Sequence, residues 1–476
     1  MTLTSLPLDI LILILQNLSV GELAALSSTC QVLKVLVYEY GWSEYLRANP
    51  RPSYSLARAR SCWSSRFSAQ YDALTDAAWM RSDFIARPLS RPWAGKLQPI
   101  LTINSSRLIV AAGNTIFSYK FSGSWKEKLS PSVLSQGSYS LSPAVSRHRD
   151  VTAITAVEDG GLDRTFYAGF QDGSIERITL IEDSADGRSA FSLKRHLVQA
   201  ADGRDDLVES LSAIHDTSLS LTASGRATLS RLTSIPSVTS RIELNTRSWT
   251  AYLCGNASGP YAAFGTSSTT PLAVHSIRED QLCPQPTAIL HTKSSLHQLP
   301  SSAVYGICQA PPASPWGSSP QMIISGWFDG KVRCYDLRCS SRGGPSSPVM
   351  TLSDPWSYES IYSISSGGGF SSCIAAGFAR HSVVSFWDVR SPKAGWSVHA
   401  PGNDPSPVYS IILESSRLFG VTQSRPFVYD FGPEVSLSTY PSLPSARGVD
   451  GLKLMKGYSG PGFYVTTYLH NTCNDE

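Results

Sequence analysis

The chain has 476 residues, a length that predicts two to three domains, and its 40 Lys and Arg against 37 Asp and Glu leave a formal net charge of +3. So balanced a charge gives no grounds for nucleic acid or a membrane surface as the partner. Only 16% of the residues are charged, below the roughly 25% usual in soluble domains, and Gly, Pro and Ser fill the difference, which points to many turns and short strands.

The first predicted element lies in SLPLDILILILQNL, Ser5–Leu18, where nine of fourteen residues are Leu or Ile. The run lacks the basic flank and small-residue cleavage site of a signal peptide. Gln16-Asn17 ends it well short of the roughly 20 apolar residues that span a bilayer. No other stretch is long enough to span, so the chain is expected to be soluble. The run reads instead as a helix. Pro7 suits a first turn, and Asp9 places negative charge where the helix dipole favours it. Leu8 and the unbroken apolar run Ile10–Leu15 leave no polar face, so such a helix needs cover on more than one side. Ser19 with Glu22 forms a capping-box signature that opens a second helix carrying Leu23 and Leu26. A third is predicted from about Thr29, with Val32, Leu33, Leu36 and Val37. Gly41 is expected to break it, and Trp42 and Leu46 open a further short segment. Helices this short make a very small core, which leaves one face of the first helix without intramolecular cover.

The stretch LPLDILILILQNLSVGELAALSSTCQVLKVLVYEYGWSEYL, residues 6–46, resembles an F-box. The Leu6-Pro7 start, Asp9, the Ile/Leu helix ending at Leu18, the SVGEL turn, Cys30 and the closing Trp42 carry the likeness. Gln31-Val32-Leu33 departs from it, because the family often has Arg-Trp there. The resemblance implies docking of the Skp adaptor of cullin–RING ubiquitin ligases through Leu6, Pro7, Leu8, Ile10, Leu11, Ile14, Leu15 and Leu18. The alternative is a helical cap packed on the chain's own second domain.

Residues 1–49 are thus the expected F-box and 50–96 a linker. Pro52–Arg81 spaces Leu56, Ala59, Trp63, Phe67 and Leu74 at helical intervals, so the linker is expected to be helical and to fix the distance from adaptor to the domain beyond. Eight Lys and Arg against Asp72, Asp76 and Asp83 read as a solvated surface or as a contact for an acidic partner.

From residue 97 a unit recurs. Its starts are Val151–Ile154, Leu211–Ile214, Val304–Ile307, Ile361–Ile364 and Val408–Ile411, with weaker copies at Ile100–Ile103 and Thr250–Leu253. Each is followed by an apolar strand, a Gly-containing turn and an alternating strand, as in TFYAGFQDGSIERITL and MIISGWFDGKVRCYDLR. Asp172-Gly173 and Asp329-Gly330 read as hairpin turns. These units resemble WD repeats. Trp387-Asp388 is a literal copy of the dipeptide, and Tyr335-Asp336 and Tyr429-Asp430 are conservative ones. The usual Gly-His pair is mostly missing, with His148 as a survivor, and the match is weakest around Thr250–Arg278. The expected fold is therefore multidomain α plus all-β: the helical F-box, then a WD-repeat-like β-propeller over 97–470, seven-bladed, with eight blades as the alternative. Gly451–Leu469 adds two strands that complete the seventh blade, pair near Phe84–Leu89, or enter an eighth.

Nothing in the chain carries catalysis, a cofactor or a metal. There is no phosphate-binding loop and no H-E-x-x-H, Gly457–Gly462 misses G-x-S-x-G, and the nine His are dispersed. Gly367-Gly368-Gly369 joins two strands and is no nucleotide cradle. The cysteines have no zinc spacing, and Cys308, Cys334 and Cys373 sit in apolar strand-like runs as small core residues of a reducing compartment. The resemblance implies a non-catalytic substrate-recognition subunit of an SCF-type ubiquitin ligase, cytoplasmic or nuclear, that binds the Skp adaptor, through it a cullin, and a protein substrate on the propeller. The alternatives are a scaffold without a ligase role and a propeller hydrolase or lyase. Readers of phosphorylated segments in this class use clustered arginines, for which Arg226, Arg333, Arg338, Arg380 and Arg390 are the candidates.

Overall fold

The computed structural model describes residues 6–122, 130–141, 149–183, 190–201, 206–232, 237–255, 259–292, 301–339, 345–402, 405–443 and 466–471. The N-terminal unit holds helices α1 (Leu8–Gln16), α2 (Val20–Ser27), α3 (Gln31–Leu36) and α4 (Trp42–Ala48). The capping box forms as its spacing predicts: Ser19 N donates to Glu22 Oε2 at 2.7 Å, and Glu22 N donates to Ser19 Oγ. The hydrogen bonds it accepts from Ser19 N and Ser19 Oγ hold the Glu22 carboxyl below its ordinary range. Gly41 does not break the chain of helices. One π-helical turn, Val37–Gly41, carries α3 into α4, with Gly41 itself right-handed. A Cβ there would lie 3.1 Å from Leu23 Cδ2 and 3.3 Å from Val37 Cγ1, so this glycine serves close packing of α2 and not helix termination.

The linker region contains α5 (Tyr54–Cys62) and α6 (Ser65–Met80), separated at Ser64, whose hydroxyl caps α6 through Phe67 N. It does not stay apart from its neighbours. Ala69 of α6 lies in the core of the N-terminal unit, and the other side of the linker packs on the strands beyond. The region is also not linker throughout, because Ile85–Pro88 is a strand of the sheet domain.

That domain is built of seven four-stranded antiparallel units among the described residues. They begin with the inner strands Ile100–Ile103, Val151–Ala156, Val208–Ile214, Ser248–Cys254, Ser302–Gln309, Ile361–Gly367 and Val408–Leu413. Each inner strand packs against the next, and the last packs against the first, so the ring closes. This is a β-propeller, and its units are blades one to seven. Blade four, at the weakest stretch of the repeat pattern, is complete, with Ser248–Cys254, Tyr261–Ser268, Leu272–Arg278 and Ala288–Leu290.

Two repeat starts are shifted from the sequence pattern. In six blades a bulge falls near the start of the inner strand, between Val151 and Ala153, Val208 and Ser210, Ser248 and Thr250, Val304 and Gly306, Ile361 and Ser363, and Val408 and Ser410. Aligned on the bulge, blade three starts at Val208 and not Leu211, and blade four at Ser248 and not Thr250. The Ile that marks the other starts is Leu211 and Ala251 in these blades, and that change hid the register.

Small residues let blades interlock. A Cβ on Gly326 in the second strand of blade five would meet Ile361 Cγ2 of blade six at 2.5 Å, and one on Gly169 would meet Val208 Cγ1 at 2.5 Å. The first residue of each following blade therefore seats on bare backbone. The predicted hairpin turns form, with Gly173 and Gly330 at φ +83° and +75°. Cys334 and Cys373 are core residues, and burial pushes the thiols of Cys308 and Cys373 up to about 12.

Blade seven is not closed by the described C-terminal strand. The outer strand of blade seven is Ile85–Pro88, paired antiparallel with Pro426–Asp430 from Ile85 opposite Asp430 to Pro88 opposite Phe427. The C-terminal strand Thr467–Asn471 instead adds a fifth strand to blade six, on Ala394–His399. Residues 451–465 of the segment in question, and His148, lie outside the described residues. Blade six nevertheless gathers Asp354, Ser385 and Trp387, with Ser385 Oγ donating to Asp354 at 2.6 Å, and its histidine is His470 from that added strand.

Candidate functional site

Of the eight expected docking residues, Leu11 and Leu15 are not available: both are buried in the core of the N-terminal unit with Leu23, Leu33, Leu36 and Trp42. Leu6 and Leu18 are half-buried against the same core, and Ile14 is half-buried. The small helices do cover one side of α1, with α4, the π turn and Ala69 of α6 as the cover. Pro7, Leu8 and Ile10 remain exposed, joined by Leu13 at 54%. Helix α3 adds Val32 and Val35, and the π turn adds Tyr38, at intervals of three and all exposed. Leu13 lies in the apolar run and Val32 in the expected third helix, yet neither was named for docking, because periodicity alone does not say which side a small unit leaves open.

In each blade the loop after the inner strand lies at one end of the propeller, and the hairpin turn between the second and third strands lies at the other, as antiparallel order requires. The linker helices grip the first end. Glu414, in the loop after the inner strand of blade seven, accepts from Tyr54 N at 2.6 Å, Ser55 N at 3.0 Å and Ser53 Oγ at 3.2 Å, capping α5 from another domain. Burial raises its carboxyl above the ordinary range, opposed by those hydrogen bonds. Trp79 of α6 stacks on Phe431 with centroids 3.7 Å apart, and its indole N–H donates to Ser415 O at 2.9 Å. Its ring lies against Gly368 and Gly369, which stand at φ +67° and +46°, and Cβ atoms there would lie 2.9 and 3.0 Å from the indole. The glycine triplet is the seat for this tryptophan. Arg51 reaches Asp76 through 2.8 and 2.7 Å hydrogen bonds and also donates to Gly369 O. Arg60 pairs with Asp72, and Arg58 with Asp163 at 3.1 Å. Three of the eight basic residues of this region are thus held in ion pairs, whereas Arg66, Arg81, Arg91 and Lys96 are exposed, as a solvated surface would have them.

The five candidate arginines do not converge. Arg338 and Arg390 follow the third strands of blades five and six, at the linker end, and fold back on Asp336 and Asp388 two residues earlier. Burial pushes the Asp388 carboxyl upward, but hydrogen bonds from Arg390 hold it below its ordinary range. Arg226, Arg333 and Arg380 lie at the opposite end, and each has a carboxylate neighbour: Asp206 at 3.7 Å, Asp329 at 2.6 Å and Glu359 at 3.6 Å. No phosphate-sized cluster of unmatched guanidinium groups results.

What that opposite end does bring together is a run of aromatic rings. The bulged residues of blades four to seven are Trp249, Tyr305, Tyr362 and Tyr409, and their centroids follow one another at 5.0, 5.3 and 6.1 Å. A bulge re-aims its side chain, and on the innermost strand that sends the rings to the channel mouth. All four are half-buried. Blade three contributes Glu209 at the same position. Arg247 bridges the two chemistries, 2.8 Å from Glu209 and 3.8 Å above the Trp249 ring. Burial raises the Glu209 carboxyl, opposed by Arg247. The tyrosines stood second in three repeat starts as V/I-Y-x-I, a signal the sequence offered. Trp249 was hidden by the shifted register of blade four.

Residues 3–38 match the family model described as F-box domain. In shape the chain is similar to the WD40 β-propeller domain of Doa1, at 13% identity over 75% of this chain and 99% of that one, with a TM-score of 0.48. No curated protein sequence matches the chain. The chain thus joins a helical unit that matches the F-box domain model to a β-propeller. That make-up is one of a substrate-recognition-type adaptor. Among the described residues no helix is long and apolar enough to cross a membrane.

Proposed function

We propose that the chain is the non-catalytic substrate-recognition subunit of an SCF-type cullin–RING ubiquitin ligase. The F-box docks a Skp adaptor and through it a cullin, and the propeller holds the protein substrate. The observation that carries this reading is the pairing of an exposed apolar F-box edge with an interlocked linker. Leu8, Ile10 and Leu13 on α1 and Val32 and Val35 on α3 expose apolar surface that a partner would cover. Helices α5 and α6 fasten that unit to one end of the propeller and leave the aromatic mouth open at the other. A fixed separation between adaptor and substrate is what proximity catalysis by a third protein needs. In this reading the chain makes and breaks no bonds itself and works in the cytoplasm or nucleus.

The test is binding of purified full-length chain to a purified Skp adaptor by calorimetry. Leu8→Asp with Leu13→Asp is expected to weaken binding at least 100-fold with unchanged thermal stability, since neither side chain supports the core. Unaltered affinity would sink the docking surface. Adaptor binding without substrate-dependent ubiquitin transfer in a reconstituted ligase would point to a scaffold instead.

A further inference from the structure

We infer that the channel mouth opposite the F-box binds an uncharged, proline-bearing extended segment of a partner protein. The inference rests on the substrate-receptor reading for the partner's role, and on the mouth alone for its chemistry.

Three properties select this ligand. The first is the spacing of the rings. A polyproline II segment has three residues per turn and rises about 3.1 Å per residue, so the residues on one face recur about every 9.3 Å. Trp249, Tyr305, Tyr362 and Tyr409 follow one another at 5.0, 5.3 and 6.1 Å on adjacent inner strands, a continuous aromatic strip long enough to meet successive same-face pyrrolidine rings. Such a segment is already extended, so binding it orders little further chain.

The second is hydrogen bonding. A polyproline II backbone leaves its carbonyls without internal partners. The hydroxyls of Tyr305, Tyr362 and Tyr409 have no hydrogen-bond partner among the described residues, unlike Tyr261 and Tyr335, whose hydroxyls donate to Pro320 O and His291 O. Aromatic faces beside unengaged donors match apolar rings beside unengaged acceptors.

The third is charge. The guanidinium groups of Arg247, Arg333 and Arg380 at this end already face Glu209, Asp329 and Glu359. A phosphorylated or a basic segment would have to break one of these pairs to gain a counter-ion, whereas an uncharged one leaves them intact. The surface continues outward in the same character. The loop leading into Tyr362 carries Trp356 and Tyr358, 69% and 87% exposed, and Phe328 is exposed on the turn beside it, where its carbonyl accepts from Ser360 Oγ at 2.9 Å.

The experiment is fluorescence anisotropy of a labelled decaproline peptide with the full-length chain, beside equal-length phosphoserine–glycine and lysine–glycine peptides. Decaproline is expected to bind saturably and at least tenfold more tightly than either charged peptide. Tyr362→Ala should weaken it at least tenfold, and Tyr409→Phe, which removes only a hydroxyl, about threefold. Tyr358→Ser, at a side chain outside any core, gives a second reading should Tyr362→Ala fail to fold. Tighter binding of the phosphoserine or lysine peptide, or decaproline binding unchanged in both Tyr362→Ala and Tyr358→Ser, would overturn the assignment. Adaptor affinity measured on the same samples keeps the two readings apart. Leu8→Asp with Leu13→Asp should abolish adaptor binding and leave decaproline binding as it was. A chain that binds decaproline but no adaptor keeps the mouth and loses the ligase role.

Discussion

The two ends of the propeller are made of the same connections between the same strands, yet one is sealed and the other open. At the linker end, loops after the inner strands present Glu414, Ser415, Gly368 and Gly369 to α5 and α6, and these four residues are buried. Polar groups there are matched across domains: Glu414 with the first turn of α5, Arg51 with Asp76 and with Gly369 O. At the far end, charges are matched within their own neighbourhoods and the aromatic rings are left half-covered. The difference teaches that charge pairing marks a finished surface at either end, and that unengaged donors and rings mark the end that receives a partner.

That contrast can be broken by substitution. The largest effects belong to the sealed end. Trp79→Ala removes the ring that Phe431 and the glycine triplet surround, and it should cost about 3–5 kcal/mol in denaturant unfolding. Arg51→Ala leaves Asp76 buried without its partner, a loss of about 3–5 kcal/mol on the same scale. Limited proteolysis of both variants should cut between Cys62 and Ile85 before the propeller itself is attacked. An intact linker would mean that the domains are held by other contacts. Next comes blade interlock: Gly326→Ala drives a methyl into Ile361 and should cost about 1–3 kcal/mol, read as a lowered melting temperature. Ser19→Ala removes one half of the α2 capping box, with an expected loss of about 1 kcal/mol. The smallest stability effect is expected at the open end. Tyr358→Ser should stay within about 0.5 kcal/mol of the parent while its decaproline affinity falls. Were it as damaging as Trp79→Ala, the open end would be structural and the comparison would fail.

Much of this was legible in the chain. The Ser19–Glu22 box, the hairpin glycines, the helical linker and the recurring inner strands are local: each depends on a few neighbouring residues with one favoured conformation. Gly41 was misread because a glycine's use as a helix stop and as a place for close packing look alike until Leu23 is brought beside it. The expected docking residues divide by burial. Pro7, Leu8 and Ile10 are exposed, but Leu11 and Leu15 are core, because a run apolar on all sides gives no sign of which side the neighbouring helices take. The arginines were named by position in the chain, and position does not tell on which end of a blade a residue falls or which carboxylate already holds it.

By itself the sequence determined the units: short capped helices, then repeated strand–turn–strand segments whose glycines and alternating side chains admit little else. Only the tertiary structure decided how the ring closes, with Ile85–Pro88 pairing to Pro426–Asp430 and the C-terminal strand moved to blade six. It also decided that four bulged residues, separated by about fifty positions each, become one aromatic surface. The physical reason is common to both. Strand edges and ring faces carry no address of their own, so their partners are chosen by what the closed ring brings within reach.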